Sequence, residues 1–395
     1  MNEVSTKAKI GIVGSGTMGR GIAQVAATAG HPVVLFDVAA EAREAARADL
    51  QRVHRRLVDK GRLSGAEAEA ILERIALAED PRAFAGAEVV IEAVVEDLAV
   101  KRSVFALLEE HAGDQAILAT NTSSLPVTAI AAGCRQPERV AGAHFFNPAA
   151  LMPLVEVVPG LATDPRIVAT LHELIRRWGK TPVTAGDTPG FIVNRVARPY
   201  YGESLRLLDE GVAPIGAIDQ ALRDLGGFPM GPFELMDLVG LDVSLAVTET
   251  IFRETGYDPR YRPSLTQRRL VQAGRLGRKT GRGFYDYSSG EGPASPSPPV
   301  APGVAKTVFD RVLAMLINEA AEAVLFRVAS PEDLDLAMTL GVRYPKGLLA
   351  WCDELGAETV LGRLEALHDE YGEDRYRPSA LLRRMARTNG RFFSV

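Results

Sequence analysis

Cysteine is scarce: two residues, Cys134 and Cys352, stand far apart in a chain of 395. This spacing forms neither a metal nor a redox motif, so we expect two reduced thiols in a chain without a metal site. No apolar run reaches the roughly 18 residues needed to cross a bilayer. The N-terminus, MNEVSTKAKI, also lacks the apolar region of a signal peptide. The sequence therefore predicts a cytoplasmic protein that does not bind membranes.

The chain also has no large excess of one charge sign. It has 45 Lys and Arg and 50 Asp and Glu, which gives a net charge of −5. This balance gives no general attraction to nucleic acids, so we expect no nucleic-acid partner. The content of 47% hydrophobic and 24% charged residues is typical of a globular protein. A chain of 395 residues is too long for a single hydrophobic core of ordinary size, which indicates two or three domains.

Short apolar strands alternate with helical segments in the first part of the chain. Strands are predicted at 9–14, 33–37, 88–93, 116–121, 140–145 and 154–158. This alternation predicts an α/β, Rossmann-type, doubly wound and mostly parallel sheet over residues 1–187. Residues 39–78 instead form one long charged helical stretch, broken near Gly61, and we interpret it as a helical hairpin inserted into the sheet domain.

Strand signals stop after Pro189, and residues 188–290 are predicted to form an all-α domain. Residues 291–302 are rich in Pro, Ser and Gly, as a linker is. The segment 303–395 then repeats the first helical domain. Asp219 and Asp335, for example, recur at an offset of 116 that several other positions share, and YRPS recurs at an offset of 115. The sequence therefore predicts two tandem helical domains.

A glycine-rich turn follows the first strand and opens a helix. It reads G-x-G-x-x-G in Gly14, Ser15, Gly16, Thr17, Met18 and Gly19. Asp37 ends the second strand, eighteen residues past Gly19. In this context glycines let a dinucleotide pyrophosphate approach the helix N-terminus, and an acidic residue accepts from the ribose hydroxyls. We expect NAD rather than NADP, since Asp37 would repel a 2′-phosphate.

Several motifs occur in an order that resembles the 3-hydroxyacyl-CoA dehydrogenase family: GSGTMGRGIA, VIEAVVED, TNTSSL, HFFNP, LVEVV, TPGFIVNR, FPMGPFELMD and GRKTGRGFY. The resemblance covers residues 9–287, and the rest resembles the second helical copy of longer members. It implies NAD-dependent oxidation of an (S)-3-hydroxyacyl-CoA to the 3-oxoacyl-CoA. ARPYYGE and the short-linkered tandem most resemble the members of phenylacetate catabolism that act on 3-hydroxyadipyl-CoA.

Oxidation of a secondary alcohol requires a base for the hydroxyl proton while hydride leaves to the nicotinamide. His144 in HFFNP is the candidate base, because only imidazole has an unperturbed pKa near neutrality. Glu156, in the next strand, would accept from the other ring nitrogen and orient the ring. A lone His is usually structural, but the two motifs together favour catalysis.

The resemblance implies two further catalytic residues that also bind substrate. Ser123 in NTSSL would hydrogen-bond the substrate hydroxyl; the alternative is a helix N-cap, which Ser124 could supply equally. Asn194 in PGFIVNR would donate to the reacting oxygen or the thioester carbonyl. Pro153 departs from the family pattern, since many relatives have Lys there, and any polar contact of that Lys is lost.

The resemblance also implies four more cofactor positions, namely Glu96, Lys101, Asn147 and Lys279. Without the motif, Glu96 and Lys101 would be interpreted as an ordinary exposed ion pair.

Basic residues on the predicted hairpin suit the phosphates of coenzyme A: Arg52, Arg55, Arg56, Lys60 and Arg62. A solvated basic face is the alternative, and only Lys60 matches a family position. Arg198 in ARPYY lies one helical turn after Asn194 and suits a distal substrate carboxylate; the alternative there is a surface or interdomain ion pair.

Two rival functions use the same modules: another NAD-dependent hydroxy-acid or sugar dehydrogenase, and a non-catalytic NAD-binding protein. HFFNP with LVEVV, and no nucleophilic cysteine near these motifs, argue against the first, and the presence of His144, Glu156, Ser123 and Asn194 argues against the second. In the second copy Asp310 stands where Asn194 stands in the first, so we expect that copy to be catalytically silent. It would pair with the first copy as an intrachain pseudo-dimer, with a further homo-oligomer left open.

Overall fold

The chain divides into two units at the bond between Thr188 and Pro189. The computed structural model describes residues 4–5, 7–288 and 301–393. The predicted linker lies outside the described residues except for its last two positions, 301 and 302. Within these ranges no helix combines the length and apolarity that crossing a membrane requires. Cys134 and Cys352 are unpaired thiols, as expected.

One eight-stranded sheet forms the centre of the first unit. Its strands are β1 (Ile10–Val13), β2 (Val33–Phe36), β3 (Ile75–Ala78), β4 (Val89–Glu92), β5 (Ile117–Thr120), β6 (Val140–Phe145), β7 (Leu154–Pro159) and β8 (Thr181–Thr184). Their spatial order is β3-β2-β1-β4-β5-β6-β7-β8. All neighbours are parallel except β6 and β7. The prediction of a doubly wound, mostly parallel sheet is therefore confirmed.

Six helices accompany this sheet: α1 (Thr17–Thr28), α2 (Ala40–Asp59), α3 (Gly65–Glu73), α4 (Leu98–His111), α5 (Val127–Ala131) and α6 (Pro165–Arg177). The helix α3 starts where Ser64 accepts from the Glu67 amide and the Glu67 carboxylate accepts from the Ser64 amide, a capping box. The expectation that residues 39–78 are helical throughout was wrong at its end. Residues 75–78 pair with β2 as β3, which shows that tertiary pairing overrides local propensity there.

The carboxyl ends of β1, β2, β4 and β5 meet at one edge of the sheet. These central strands are buried on both faces, as parallel strands between helix layers are. The glycine-rich turn, Asp37, Glu96 and residues 121–124 all follow strands at this edge. In open α/β sheets this edge is where ligands bind.

The second unit is helical: α7 (Val193–Val196), α8 (Arg198–Asp209), α9 (Ile215–Gly226), α10 (Pro232–Val239), α11 (Leu241–Glu254), α12 (Leu265–Gln272), α13 (Pro302–Leu325), α14 (Pro331–Gly341), α15 (Leu348–Leu355), α16 (Ala357–Tyr371) and α17 (Ala380–Thr388). Most of α13 is buried from Val308 to Ala323, and its buried charged residues Arg311, Glu319 and Glu322 lie in ion pairs. It packs against α8, α9 and α16 and forms the core of this unit.

Candidate functional site

The glycine-rich turn leaves the N-terminus of α1 open for a phosphate. A Cβ on Gly16 would meet nothing within 4 Å, whereas one on Gly14, at φ +93°, would lie 2.7 Å from the Ala93 carbonyl. A Cβ on Gly19 would overlap the Gly14 carbonyl. No side chain caps α1, so its first amide groups remain available. These residues fit a dinucleotide pyrophosphate at a helix N-terminus.

Asp37 closes the same turn from the end of β2. Its carboxylate accepts from the Ser15 amide at 2.8 Å, from the Ser15 hydroxyl at 2.9 Å and from the Ala39 amide at 3.0 Å. Burial opposes ionisation of Asp37, but these hydrogen bonds outweigh it and hold its pKa below the ordinary value. An ionised carboxylate therefore stands beside the glycine-rich turn, at the end of β2.

Lys101 and Glu96 form an ion pair, but not an ordinary exposed one, because Lys101 is buried while Glu96 is 36% exposed. The Lys101 side chain is 1% exposed, and its ammonium lies 2.6 Å from Glu92 and 3.3 Å from Glu96. The Thr120 hydroxyl donates to the second oxygen of Glu92 at 2.7 Å. Sequence reasoning missed Glu92, although a carboxylate inside the apolar run VVIEAVV is itself a sign of a buried ion pair.

Glu96 organises the loop that follows β5. Its Oε1 accepts from the Thr122 hydroxyl at 2.7 Å and from the Ser123 and Ser124 amides at 3.0 and 3.1 Å. Burial opposes ionisation of Glu96, but Lys101 and these donors keep its pKa lowered. Neither serine caps a helix, since α5 begins after Pro126, and the N-cap alternative was wrong.

His144 and Glu156 face each other across the antiparallel pair of strands β6 and β7. The His144 Nδ1 lies 2.7 Å from Glu156 Oε2. His144 is 6% exposed and Glu156 is fully buried, so water competes little for this contact. The Phe146 ring, 4.5 Å from the imidazole between centroids, packs beside it. The buried carboxylate at Nδ1 therefore fixes the orientation of the imidazole ring.

Lys180 holds the loop that connects β6 to β7 and contains Asn147. Its ammonium donates to the carbonyls of Ala149, Ala150 and Met152 at 2.7 to 3.2 Å. Burial lowers the pKa of Lys180. Sequence reasoning missed this residue, because a lysine that binds only backbone carbonyls has no partner that a motif reveals.

A cleft of about 780 Å³ lies between α1, α2 and this loop, and Asn147 is part of its lining. Its basic lining residues are Arg20, Arg52, Arg56, Lys60, Arg62 and Lys180. Four of the five basic residues predicted for coenzyme A are thus brought together, while Arg55 is not in the lining. Among the described residues no group of three or more His, Cys, Asp or Glu could hold a metal ion.

The remaining predicted residues belong to the second unit. Asn194 is half-buried in α7. The Lys279 ammonium pairs with Asp242 at 2.6 Å. Arg198 begins α8, and its Nε donates to the Asn194 carbonyl at 2.6 Å. The alternative of an ion pair for Arg198 is not realised within the described part of the chain.

Comparison with known protein families gives two matches. Residues 9–188 match the NAD-binding domain of 3-hydroxyacyl-CoA dehydrogenases. The C-terminal domain of the same enzymes matches twice, at 190–287 and at 308–391. The two matches together cover most of the chain.

Individual relatives belong to the same family of enzymes. The 3-hydroxyadipyl-CoA dehydrogenase of Escherichia coli (strain K12) is 43% identical over 95% of this chain and 97% of its own length. The probable 3-hydroxybutyryl-CoA dehydrogenase of Bacillus subtilis (strain 168) is 42% identical over 71% of this chain and 97% of its own length. A crystal structure of 3-hydroxybutyryl-CoA dehydrogenase from Escherichia coli K12 superposes with a TM-score of 0.90 at 41% identity, over 98% of this chain and 99% of that one. The chain therefore belongs to the 3-hydroxyacyl-CoA dehydrogenase family and is an NAD-dependent oxidoreductase of that family.

Proposed function

We propose that His144 is the general base for oxidation of an (S)-3-hydroxyacyl-CoA and that Glu156 orients it. The observation that carries this proposal is the 2.7 Å contact between Nδ1 and the buried carboxylate. With its Nδ1 proton held by Glu156, the imidazole presents Nε2 to the substrate hydroxyl and takes its proton. Glu156 then stabilises the imidazolium. NAD, when bound, supplies the hydride acceptor.

Ser123 and Asn194 are proposed to position the substrate. The Ser123 amide is fixed by Glu96, so its hydroxyl stands on an ordered loop at the ligand edge of the sheet. The Asn194 amide has no hydrogen-bond partner among the described residues, so it is available to donate to the reacting oxygen or the thioester carbonyl. Donors aimed at an oxygen that gains negative charge stabilise the transition state.

The cofactor is proposed to contact residues 14–19, Asp37, Glu96, Asn147 and Lys279, with Lys101 fixing Glu96 from beneath. The ionised carboxylate of Asp37 supports a preference for NAD, because it repels a 2′-phosphate. We expect much higher kcat/KM with NAD than with NADP. Equal use of both cofactors by the wild type would contradict this assignment.

The helices α2 and α3 are proposed to form a hairpin that binds the phosphates of coenzyme A. The basic lining of the 780 Å³ cleft supports this, with Lys60 as the residue at the family position. Guanidinium and ammonium groups suit phosphate oxygens. Three of these residues already have partners: Arg52 and Arg20 pair with Asp49 at 2.5 and 2.8 Å, and Lys180 donates to backbone carbonyls.

Residues 308–391 are proposed to be a second copy of the helical domain that pairs with the first as a pseudo-dimer within one chain. Arg195 donates to Glu319 at 2.8 Å, and 116 positions later Arg311 donates to Glu203 at 3.0 Å. In each half, an arginine thus donates to a glutamate of the other half. Such reciprocity is the signature of a two-fold, isologous interface.

The tyrosines around these two glutamates follow the same symmetry. The Tyr261 hydroxyl contacts Glu319, and Tyr376 contacts Glu203 at 3.1 Å. Arg260 and Arg375 approach the same glutamates. The domain limits 188–290 and 303–395 remain predictions, but this repeated network supports them.

NADH oxidation with acetoacetyl-CoA tests the catalytic proposal. We expect His144→Gln and Glu156→Gln to lower turnover by roughly 10²–10⁴-fold, while both variants keep NADH affinity and fold. His368→Gln, at a half-exposed position in α16, is the matched control and should retain activity. A loss below about tenfold for Glu156→Gln, about 1.4 kcal/mol, would demote Glu156 to a bystander.

A further inference from the structure

Three charged side chains lie in contact behind the ligand edge of the sheet, and we call them the Glu92–Lys101–Glu96 triad. The Lys101 ammonium lies 2.6 Å from the Glu92 carboxylate and 3.3 Å from that of Glu96. Glu92 ends β4, and Lys101 lies in the first turn of α4. Because two carboxylates share one ammonium, the triad carries one surplus negative charge.

Glu92 is the innermost member of the triad. Both Glu92 and Lys101 are buried. Besides Lys101, the Glu92 carboxylate accepts from the Val94 amide at 2.7 Å and from the Thr120 hydroxyl at 2.7 Å. Donors therefore face both of its oxygens, as suits an ionised carboxylate, which can only accept. Glu92 thus neutralises Lys101 inside the protein and fixes the position of its ammonium.

Glu96 is the member of the triad that reaches the ligand edge. Its side chain is partly exposed, and it accepts from Lys101 through one oxygen and from donors of residues 122–124 through the other. Asp97, the next residue, adds an exposed carboxylate that caps α4. Because Glu92 already neutralises Lys101, the charge of Glu96 is not cancelled. The surplus negative charge therefore lies at the exposed end of the triad.

The order of the strands indicates which end of the cofactor meets Glu96. In the proposed cofactor site the adenosine ribose lies at Asp37, after β2, and the pyrophosphate lies at the glycine-rich turn, after β1. The strands β4 and β5 lie on the opposite side of β1 from β2. An extended dinucleotide that crosses β1 therefore has its nicotinamide end beside the loops after β4 and β5, one of which contains Glu96.

We propose that Glu92 is a positioning residue which neutralises Lys101 and so leaves Glu96 free to act as a negative charge that favours the oxidised cofactor. The nicotinamide ring carries a positive charge in NAD⁺ and none in NADH, so a negative charge nearby stabilises only the oxidised form. This inference rests on the proposed function, because the contact between the cofactor and Glu96 is part of it. Without Glu92, the ammonium of Lys101 would cancel the charge of Glu96.

Glu156 provides the matching negative charge on the other side of the reaction. Oxidation transfers hydride from the substrate carbon to the nicotinamide and the hydroxyl proton to His144, while the carbonyl double bond forms. The positive charge thereby moves from the nicotinamide ring to the imidazole, whose Nδ1 lies 2.7 Å from Glu156. Glu96 stabilises the positive charge before the transfer, and Glu156 stabilises it afterwards.

Equilibrium binding of NAD⁺ and NADH to the full chain, without substrate, tests this proposal. We expect Glu92→Gln to raise the ratio of the Kd for NAD⁺ to the Kd for NADH by about fivefold, and Glu96→Gln to raise it by about tenfold, because the charge of Glu96 is nearer to the ring. An amide at position 92 still accepts from Lys101 and Val94, so the fold should be kept. Isothermal titration calorimetry measures the Kd for NAD⁺, and the fluorescence of bound NADH measures the other.

Glu110→Gln is the matched control. It removes the same charge from an exposed position on α4, nine residues after Lys101. Nine helical residues span about 13 Å, which exceeds the Debye length of about 10 Å at 0.1 M salt. The control should therefore keep the wild-type ratio of the two dissociation constants.

The ratio separates an electrostatic role from a structural one. Equal weakening of both cofactor forms in Glu92→Gln would overturn the proposal, and so would the same change of ratio in Glu110→Gln. If Glu92→Gln is unfolded by circular dichroism, Glu96→Gln decides, and an unchanged ratio in that variant overturns the proposal. The expected change of ratio in a protein whose wild type does not oxidise NADH with acetoacetyl-CoA would support this inference and overturn the proposed catalytic roles.

Discussion

The two halves of the helical unit, 190–287 and 308–391, repeat the contacts that hold helices in place. Asp219 accepts from the Phe233 and Glu234 amides, and 116 positions later Asp335 accepts from the Leu349 and Ala350 amides. Asp237 binds the amides of residues 284 and 285, as Asp353 binds those of 392 and 393. The polar residues that the halves share therefore include, besides the reciprocal Arg–Glu pairs, those that cap helices and fix loops.

The halves differ where the substrate is proposed to bind. Asn194 lies in the short helix α7, just after Gly190 and Phe191, both at positive φ. Its counterpart Asp310 lies inside the continuous helix α13 and pairs with Lys306 and Arg363. The first half thus has a short helix whose Asn194 side-chain amide has no partner among the described residues, and the second has a regular helix with an ion-paired carboxylate. The packing contacts recur in the second half, whereas the amide proposed to contact substrate does not.

The largest effect should come from removing one half altogether. A chain ending after Tyr287 loses α13, the buried helix that covers α8 and α9. We expect it to self-associate or aggregate through the uncovered apolar face. Size-exclusion chromatography with light scattering measures this. A soluble, fully active monomer would show that the second half is dispensable.

Breaking the reciprocal Arg–Glu pairs should have a smaller effect than this truncation, on the stability of the chain. Glu319→Gln leaves the buried Arg195 without its charge partner, while Arg260 keeps Asp258 and Glu322, and we expect a loss of about 3–5 kcal/mol in the free energy of unfolding. Glu203→Gln should cost a similar amount, since Arg375 loses its charge partner and Arg311 keeps only Glu210. Urea denaturation measures both. A large difference between the two variants would break the proposed symmetry.

Exchanging the side chains that differ sharpens the comparison at the site. Asn194→Asp should lower kcat by about 10²-fold or more, because a carboxylate repels developing negative charge where an amide donates. Asp310→Asn, the reverse exchange, should change kcat less than about twofold, although it loses surface ion pairs. Steady-state kinetics with acetoacetyl-CoA compares them. Equal effects would remove the functional distinction between the halves.

The smallest effect concerns pH. Burial raises the pKa of Asp219 to about 7, despite hydrogen bonds from Phe233 and Tyr285. Because this folded pKa lies above the unfolded one, its contribution to stability is fully present below about pH 4 and is lost as pH rises through about 7. Asp219→Asn should flatten the stability profile across that window.

Asp335 gives the comparison for this pH dependence. Burial raises its pKa less strongly, so Asp335→Asn should flatten the same profile less. Urea midpoints at about pH 4 and about pH 8 measure both slopes. Equal slopes in the wild type and in Asp219→Asn would contradict the shift.

Much of the fold could be predicted because its strands are apolar runs and its helices are periodic. The strands β3 and β8 could not, since they are the two edge strands and are less buried than the central ones, so their sequences lack the signal of a buried apolar run. The proposed pair His144–Glu156 could be found from motifs in consecutive strands. The contact between Arg195 and Glu319 spans 124 residues, and only the repeat offset could have indicated it.

Reciprocal contacts inside one chain change what a mutation does. In a dimer of identical chains every substitution appears on both sides of the interface, so neither side can change alone. Here each side is encoded separately. Residue 344 is Tyr while residue 228 is Phe, and residue 310 is acidic while residue 194 is an amide. Because the two halves are encoded separately, one side of these contacts can change while the other stays as it is.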